Sequence, residues 1–61
     1  MTGAKGKRIE LIEDSSFKGL VEEIDEKGIT ILWDINAPDG GSKWVRYSNT
    51  EESLKRIKVV E

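Results

Sequence analysis

Hydrophobic and polar residues alternate along short stretches of this chain, and a period of two predicts β-strands. The first strand begins near Lys7, because Ile9 and Leu11 alternate with charged residues, and it ends at the turn-forming run 13–16. The other predicted strands cover residues 17–25, 29–34, 43–47 and 57–60. Five short strands in one small chain favour an all-β fold.

The second strand departs from strict alternation. Its apolar positions Val21 and Ile24 lie three residues apart, and a regular pleat cannot place both on one face. A β-bulge at Glu22 and Glu23 would accommodate the extra residue, with Gly19 tolerating the bend. The spacing therefore predicts a bulge at this point.

The segments between the strands carry turn and cap signals. Residues 26–28 predict a tight hairpin with Gly28 at a positive φ, and residues 35–42 predict a long open loop, because they hold the proline and two adjacent glycines. Thr50 is expected to cap one helical turn that runs through Ser53, with acidic residues in its first turn.

This element order predicts a five-stranded SH3-like barrel over residues 7–61, with one short helical turn before the last strand and a flexible arm at residues 1–6. An OB-like barrel is the alternative, although it usually needs a longer helix and more residues. Trp33 is expected to bond a carbonyl near the rim through its indole N–H. The predicted core consists of Ile9, Leu11, Val21, Ile24, Ile29, Ile31, Trp33, Val45, Ile57 and Val59.

Composition narrows the possible functions. The 61 residues contain no cysteine or histidine and carry a net charge of −2, which removes disulfides, Cys/His zinc sites, thiol nucleophiles and imidazole chemistry. The carboxylates occur as sequence neighbours, so each pair in a strand points to opposite faces. We therefore expect no enzyme, no catalytic residue, no metal site and no cofactor. We also expect a cytoplasmic protein without a targeting segment or membrane span.

Several sequence runs resemble known small barrels. Residues 18–21 (KGLV), 24–25 (ID) and 29–34 (ITILWD) are similar to the G-x-V-x-x-I and V-x-W-D core that such barrels share. Residues 45–47 (VRY) and 54–60 (LKRIKVV) resemble the ending of mind-bomb/HERC-type domains and of a compact bacterial and phage domain family of uncharacterised function. The resemblance covers most of the chain and implies the barrel fold more than a function.

The chain departs from those families in one loop, and its second predicted strand resembles a further family of barrels. Residues 35–42 form a longer insert where those families have a tight Asp-Asn-Gly turn. The spacing of Gly19, Val21 and Ile24 is similar to that of KOW-type ribosomal and transcription-factor barrels, and this similarity implies a nucleic-acid partner as the alternative.

Alternation in the fourth strand points to a binding face. If Val45 and Tyr47 face the core, Trp44 and Arg46 face outward beside Leu32 of the preceding strand. Exposed aromatic, aliphatic and guanidinium groups are typical of binding hot spots. The alternative is that Trp44 folds over the open end of the barrel and belongs to the core. The predicted binding residues are Leu32, Pro38, Asp39, Lys43, Trp44, Arg46 and Tyr47.

Three kinds of partner remain open. The first prediction is a protein or peptide on this aromatic face, with a homo-oligomer through Leu32 and Trp44 as a variant. The second is a nucleic acid, whose phosphates would contact Lys43, Arg46, Lys55, Arg56 and Lys58. The third is a small inhibitor or ligand-sequestering protein of the kind that phages encode.

Overall fold

The structure, a computed structural model, describes residues 5–60 and consists of five antiparallel strands and one short helix. The elements are β1 (Arg8–Leu11), β2 (Lys18–Asp25), β3 (Gly28–Trp33), β4 (Trp44–Tyr47), α1 (Thr50–Leu54) and β5 (Ile57–Val59). The all-β prediction is confirmed, including the helical turn before the last strand. The predicted arm over residues 1–6 lies outside the described residues apart from Lys5 and Gly6.

The strands form one sheet in the order β4-β3-β2-β1-β5. Strands β1 to β4 follow one another as a meander, and β5 returns to pair with β1. Helix α1 contacts both β3 and β5, so it links the edge strand β5 to the other half of the sheet. This is the strand arrangement of a small barrel-like fold that stays open between β4 and β5.

The bulge predicted in β2 is confirmed. The register with β3 shifts between Val21 and Glu23, so two residues of β2 oppose one residue of β3. As a result Val21 is fully buried and Ile24 retains 8% of its surface. Both side chains enter the core, although their spacing is odd.

Most of the predicted core is confirmed. The buried hydrophobic residues are Ile9, Leu11, Val21, Ile24, Ile29, Ile31, Trp33, Ala37 and Ile57. Val45 is half-buried and packs against this cluster. The prediction is wrong for Val59, which is 47% exposed, because β5 is an edge strand that pairs only with β1. Ala37 joins the core unexpectedly, and it anchors the long loop.

The β2–β3 hairpin forms where it was predicted, but the role assigned to its glycine was wrong. Gly28 does not have a positive φ, and it pairs directly with Asp25. A Cβ on Gly28 would lie 2.6 Å from the carbonyl oxygen of Tyr47, so the glycine is required by close approach of β4. The Asp25 carboxylate holds the turn by accepting the Lys27 N–H at 2.8 Å.

The helix begins one residue earlier than expected. Asn49, and not Thr50, is its N-cap, and the Asn49 side chain accepts the Glu52 N–H at 3.0 Å. The Thr50 hydroxyl instead donates to the carbonyl oxygen of Asp25 at 2.6 Å. This bond joins the start of the helix to the end of β2.

Candidate functional site

Three apolar side chains form a continuous row on the outer face of the sheet. Leu20 of β2 pairs with Leu32 of β3, and Leu32 pairs with Trp44 of β4. The two leucines are half-buried, whereas Trp44 is 64% exposed. We call these residues the outer row. The prediction that Trp44 faces outward is confirmed, and the alternative that it closes the open end as core is wrong.

Polar contacts hold Trp44 in place on the surface. Its indole N–H donates to Glu22 Oε1 at 2.8 Å. The Ser42 hydroxyl accepts the Trp44 backbone N–H at 3.2 Å and donates to the Trp44 carbonyl at 3.0 Å. The Glu22 bond orients the indole ring, and an oriented side chain loses less entropy on binding.

Ion pairs flank the outer row on both sides. Arg46 bonds Asp25 at 3.2 Å and Thr30 Oγ1 at 3.1 Å, and Arg8 bonds Asp34 at 2.7 Å. Each ion pair joins one cation and one anion from different parts of the sheet. The rim of the outer row is therefore polar, and the charges of these pairs cancel. An apolar centre inside a polar rim is the common anatomy of a binding surface.

These contacts also lower the pKa values of the two carboxyl groups at the rim, those of Asp25 and Asp34. The backbone N–H of Lys27 lowers the pKa of Asp25, with further help from the Gly28 N–H and the Arg46 guanidinium. The Arg8 guanidinium, through hydrogen bonds and charge, lowers the pKa of Asp34. Both carboxylates are therefore held in their ionised form as the pH falls.

We expect the free energy of unfolding to decrease in acid. In the folded protein the hydrogen bond from Lys18 lowers the pKa of Glu10, and the bonds from Ser16 lower the pKa of Asp14. The pKa of Asp25 is lowered as well. As the pH falls, these carboxylates therefore take up protons in the unfolded chain before they do so in the folded protein. Their contribution to stability is complete above the unfolded-state pKa values of about 4, and it is lost as the pH falls through the folded-state pKa values. Urea unfolding at pH 7 and at about pH 3 measures the loss.

A matched variant tests the assignment. Asp25→Asn removes one of the titrating groups, so its urea midpoint should fall less between the two pH values than that of the wild-type chain. An equal midpoint at both pH values in the wild-type chain would contradict the prediction.

The structure does not bring all predicted site residues together. Tyr47 lies on the opposite side of β4 from Trp44, where it is half-buried against the core. Pro38 and Asp39 line a cavity together with Tyr47 and not with the outer row. Lys43 has an exposed side chain, and its backbone carbonyl oxygen accepts the backbone N–H of Trp33 at 2.6 Å.

This cavity has a volume of about 350 Å³ and lies at the open end of the sheet. We call it the end cavity. Its apolar lining comes from Leu11, Ile31, Trp33, Pro38, Tyr47 and Ile57. The charged groups at its edge are Glu13, Asp39 and Arg56. The predicted carbonyl partner of Trp33 was wrong, because the indole N–H donates to Tyr47 Oη at 3.1 Å.

Sequence reasoning missed two members of the outer surface. Leu20 belongs to the outer row, and its alternation with Gly19 and Val21 was the signal that could have found it. Glu22 bonds the Trp44 indole from the bulge of β2. No local pattern links two residues that lie on β2 and β4 in this way.

Two further observations concern chemistry and membranes. Among residues 5–60, no group of three or more acidic side chains is arranged to hold a metal ion. The helix that the structure describes is too short and too polar to cross a bilayer.

Comparison of the chain with protein-family models, with curated proteins and with solved structures finds no match.

Proposed function

We propose that this chain is a non-enzymatic binding module that engages a peptide segment of a protein partner through the outer row. The observation that carries the proposal is the exposure of Trp44, which keeps 64% of its surface in solvent. Tryptophan is enriched among the few residues that dominate binding energy. A small domain stabilised by a thin core gains little for its own folding from an aromatic ring that lies mostly in water.

The size of the row favours a peptide over a globular partner or a second copy of the chain. Standard interfaces use roughly 20 to 30 residues on each side, which would take a third to a half of this 61-residue chain. The apolar centre here consists of Leu20, Leu32 and Trp44, and ion pairs border it. A short extended segment with one or two apolar side chains fits such a strip.

The charges give less support to a nucleic acid. Of the cations assigned to phosphates, Arg46 is paired with Asp25, and Lys58 lies 3.8 Å from Glu10. Contact with a phosphate backbone would have to break these pairs in a chain whose net charge is −2. We also propose a cytoplasmic location, which agrees with a chain that contains no cysteine.

A peptide-selection experiment tests the proposal. A random peptide library is selected on the wild-type protein, and the enriched peptides are titrated against Trp44→Ala. We expect Trp44→Ala to lose about 2 kcal/mol or more of binding energy, roughly 30-fold in affinity. Its free energy of unfolding should stay within about 1 kcal/mol of the wild-type value.

The control is Ile12→Ala, which truncates another exposed hydrophobic residue, 58% exposed and outside the outer row. It should bind the selected peptides like the wild type. Peptides that bind Trp44→Ala equally well, or no enriched peptide at all, would rule the proposal out. Binding to single-stranded DNA or RNA that falls linearly with log salt, with a slope of several units, would indicate the nucleic-acid alternative instead.

A further inference from the structure

We propose that the end cavity binds a free amino acid with a large apolar side chain. Arg56 would hold the carboxylate of this ligand, and Glu13 and Asp39 would hold its ammonium group. The cavity lies on the inner side of the sheet, away from the outer row, so this site is independent of peptide binding at Trp44.

The size and floor of the end cavity set the apolar part of the ligand. Its volume of about 350 Å³ lies at the lower end of the range for ligand pockets, which selects a small molecule. Leu11 and Ile57 contribute to the floor from one end of the sheet, and Ile31 and Trp33 from β3. These side chains offer a hydrocarbon surface and an aromatic ring.

Besides the three charged residues, the polar side chains that line the cavity are Tyr47 and Ser53. The Trp33 indole N–H, which could have donated to a ligand, is already bonded to Tyr47 Oη at 3.1 Å. No side-chain nitrogen or oxygen buried in the described part of the chain is without a hydrogen-bond partner. An aliphatic or phenyl side chain therefore fits the floor, because most of the lining residues there are apolar.

The edge of the cavity carries charges of both signs that do not neutralise each other. The Ile12 N–H donates to the Arg56 carbonyl at 2.9 Å, so Arg56 lies across from the residue next to Glu13. Within residues 5–60, neither Arg56 nor Glu13 is in an ion pair. Both charges line the same cavity and remain available to a ligand.

Asp39 adds a second carboxylate from the loop between β3 and β4. Its Oδ1 accepts the Gly41 N–H at 2.9 Å, which fixes the carboxylate, and Oδ2 has no partner in the described part of the chain. Two carboxylates and one guanidinium match a ligand with an ammonium group and a carboxylate. A simple anion would meet Glu13 and Asp39, and a simple cation would leave Arg56 without a counter-ion.

A titration with matched analogues tests this site. L-Phenylalanine is added to ¹⁵N-labelled protein, and the indole resonance of Trp33 is followed alongside that of Trp44. We expect saturable shifts at Trp33 and none at Trp44. Phenylalaninamide, which lacks the carboxylate, and N-acetylphenylalanine, which lacks the ammonium group, should each bind about 10-fold more weakly or worse. Glycine, which lacks the apolar side chain, should cause no saturable shift.

Two variants assign the carboxylate contact. Arg56→Gln should weaken L-phenylalanine about 10-fold or more while leaving phenylalaninamide unchanged, and Lys55→Gln, which alters a neighbouring cation outside the cavity, should change neither. Dispersed spectra of both variants show that the fold is retained. Equal affinity for L-phenylalanine and its amide would overturn the proposal, as would the absence of a saturable Trp33 shift.

Discussion

Ile31→Ala is expected to lower the free energy of unfolding by about 2–5 kcal/mol, which approaches the whole stability of a domain this small. Ile31 lies in the middle of β3, retains 1% of its surface, and pairs with Val21 and Val45 on the flanking strands. Truncation leaves a cavity where both neighbours meet. Urea unfolding followed by circular dichroism measures the change.

Ile35→Ala is the matched control. It removes the same atoms from a side chain that is 79% exposed, so we expect a change within about 0.5 kcal/mol. A fully folded Ile31→Ala variant with wild-type stability would show that the register of β3 is wrong. Equal losses in the two variants would show that burial does not decide the effect.

The architecture was predictable because the strands carry strong periodic signals. In β3 the alternation of Ile29, Ile31 and Trp33 placed all three in the core. The irregular spacing of Val21 and Ile24 was equally informative, because only a bulge reconciles it with burial of both residues. A structural feature that follows from the spacing of hydrophobic residues can therefore be predicted from the sequence alone.

The errors occur where structure depends on contacts distant in sequence. Ala37 is fully buried, but a small residue in a loop rich in proline and glycine has no period that reveals this. Val59 has the phase of a core residue, yet its exposure depends on which strands lie beside β5. The cap at Asn49 was missed because Thr50 is also a common cap by residue type, but the Asp25 carbonyl accepts its hydroxyl instead.

The candidate site also contains residues that alternation predicts and residues that it does not. Alternation alone placed Trp44 and Leu32 on the outer face, as the pairing of β3 and β4 confirms. The same alternation should have kept Tyr47 out of that surface, since it lies in the phase of Val45. The end cavity was not predictable as a unit, because its lining comes from four strands, three connecting segments and the helix.

A single close contact links the hairpin to the rim of the outer row. Gly28 lies beneath Arg46, and a Cβ there would lie 3.0 Å from Arg46 Nη2. The missing side chain lets the guanidinium reach Asp25 and Thr30 across the strands. The glycine therefore serves the pairing of β3 with β4 and the ion pair at the rim together.

Gly28→Ala is consequently expected to lower the free energy of unfolding by about 1–3 kcal/mol, as overpacking commonly does. The new Cβ would meet the backbone oxygen of Tyr47 at 2.6 Å, and a strand cannot move aside as a flexible side chain can. Gly41→Ala is the control, because its Cβ would approach only the Asp39 carboxylate, at 3.0 Å. Urea unfolding should show little loss for Gly41→Ala, and the Arg46 guanidinium resonances should shift only in Gly28→Ala. Unchanged stability and unchanged Arg46 resonances in Gly28→Ala would mean that β4 does not press against the hairpin.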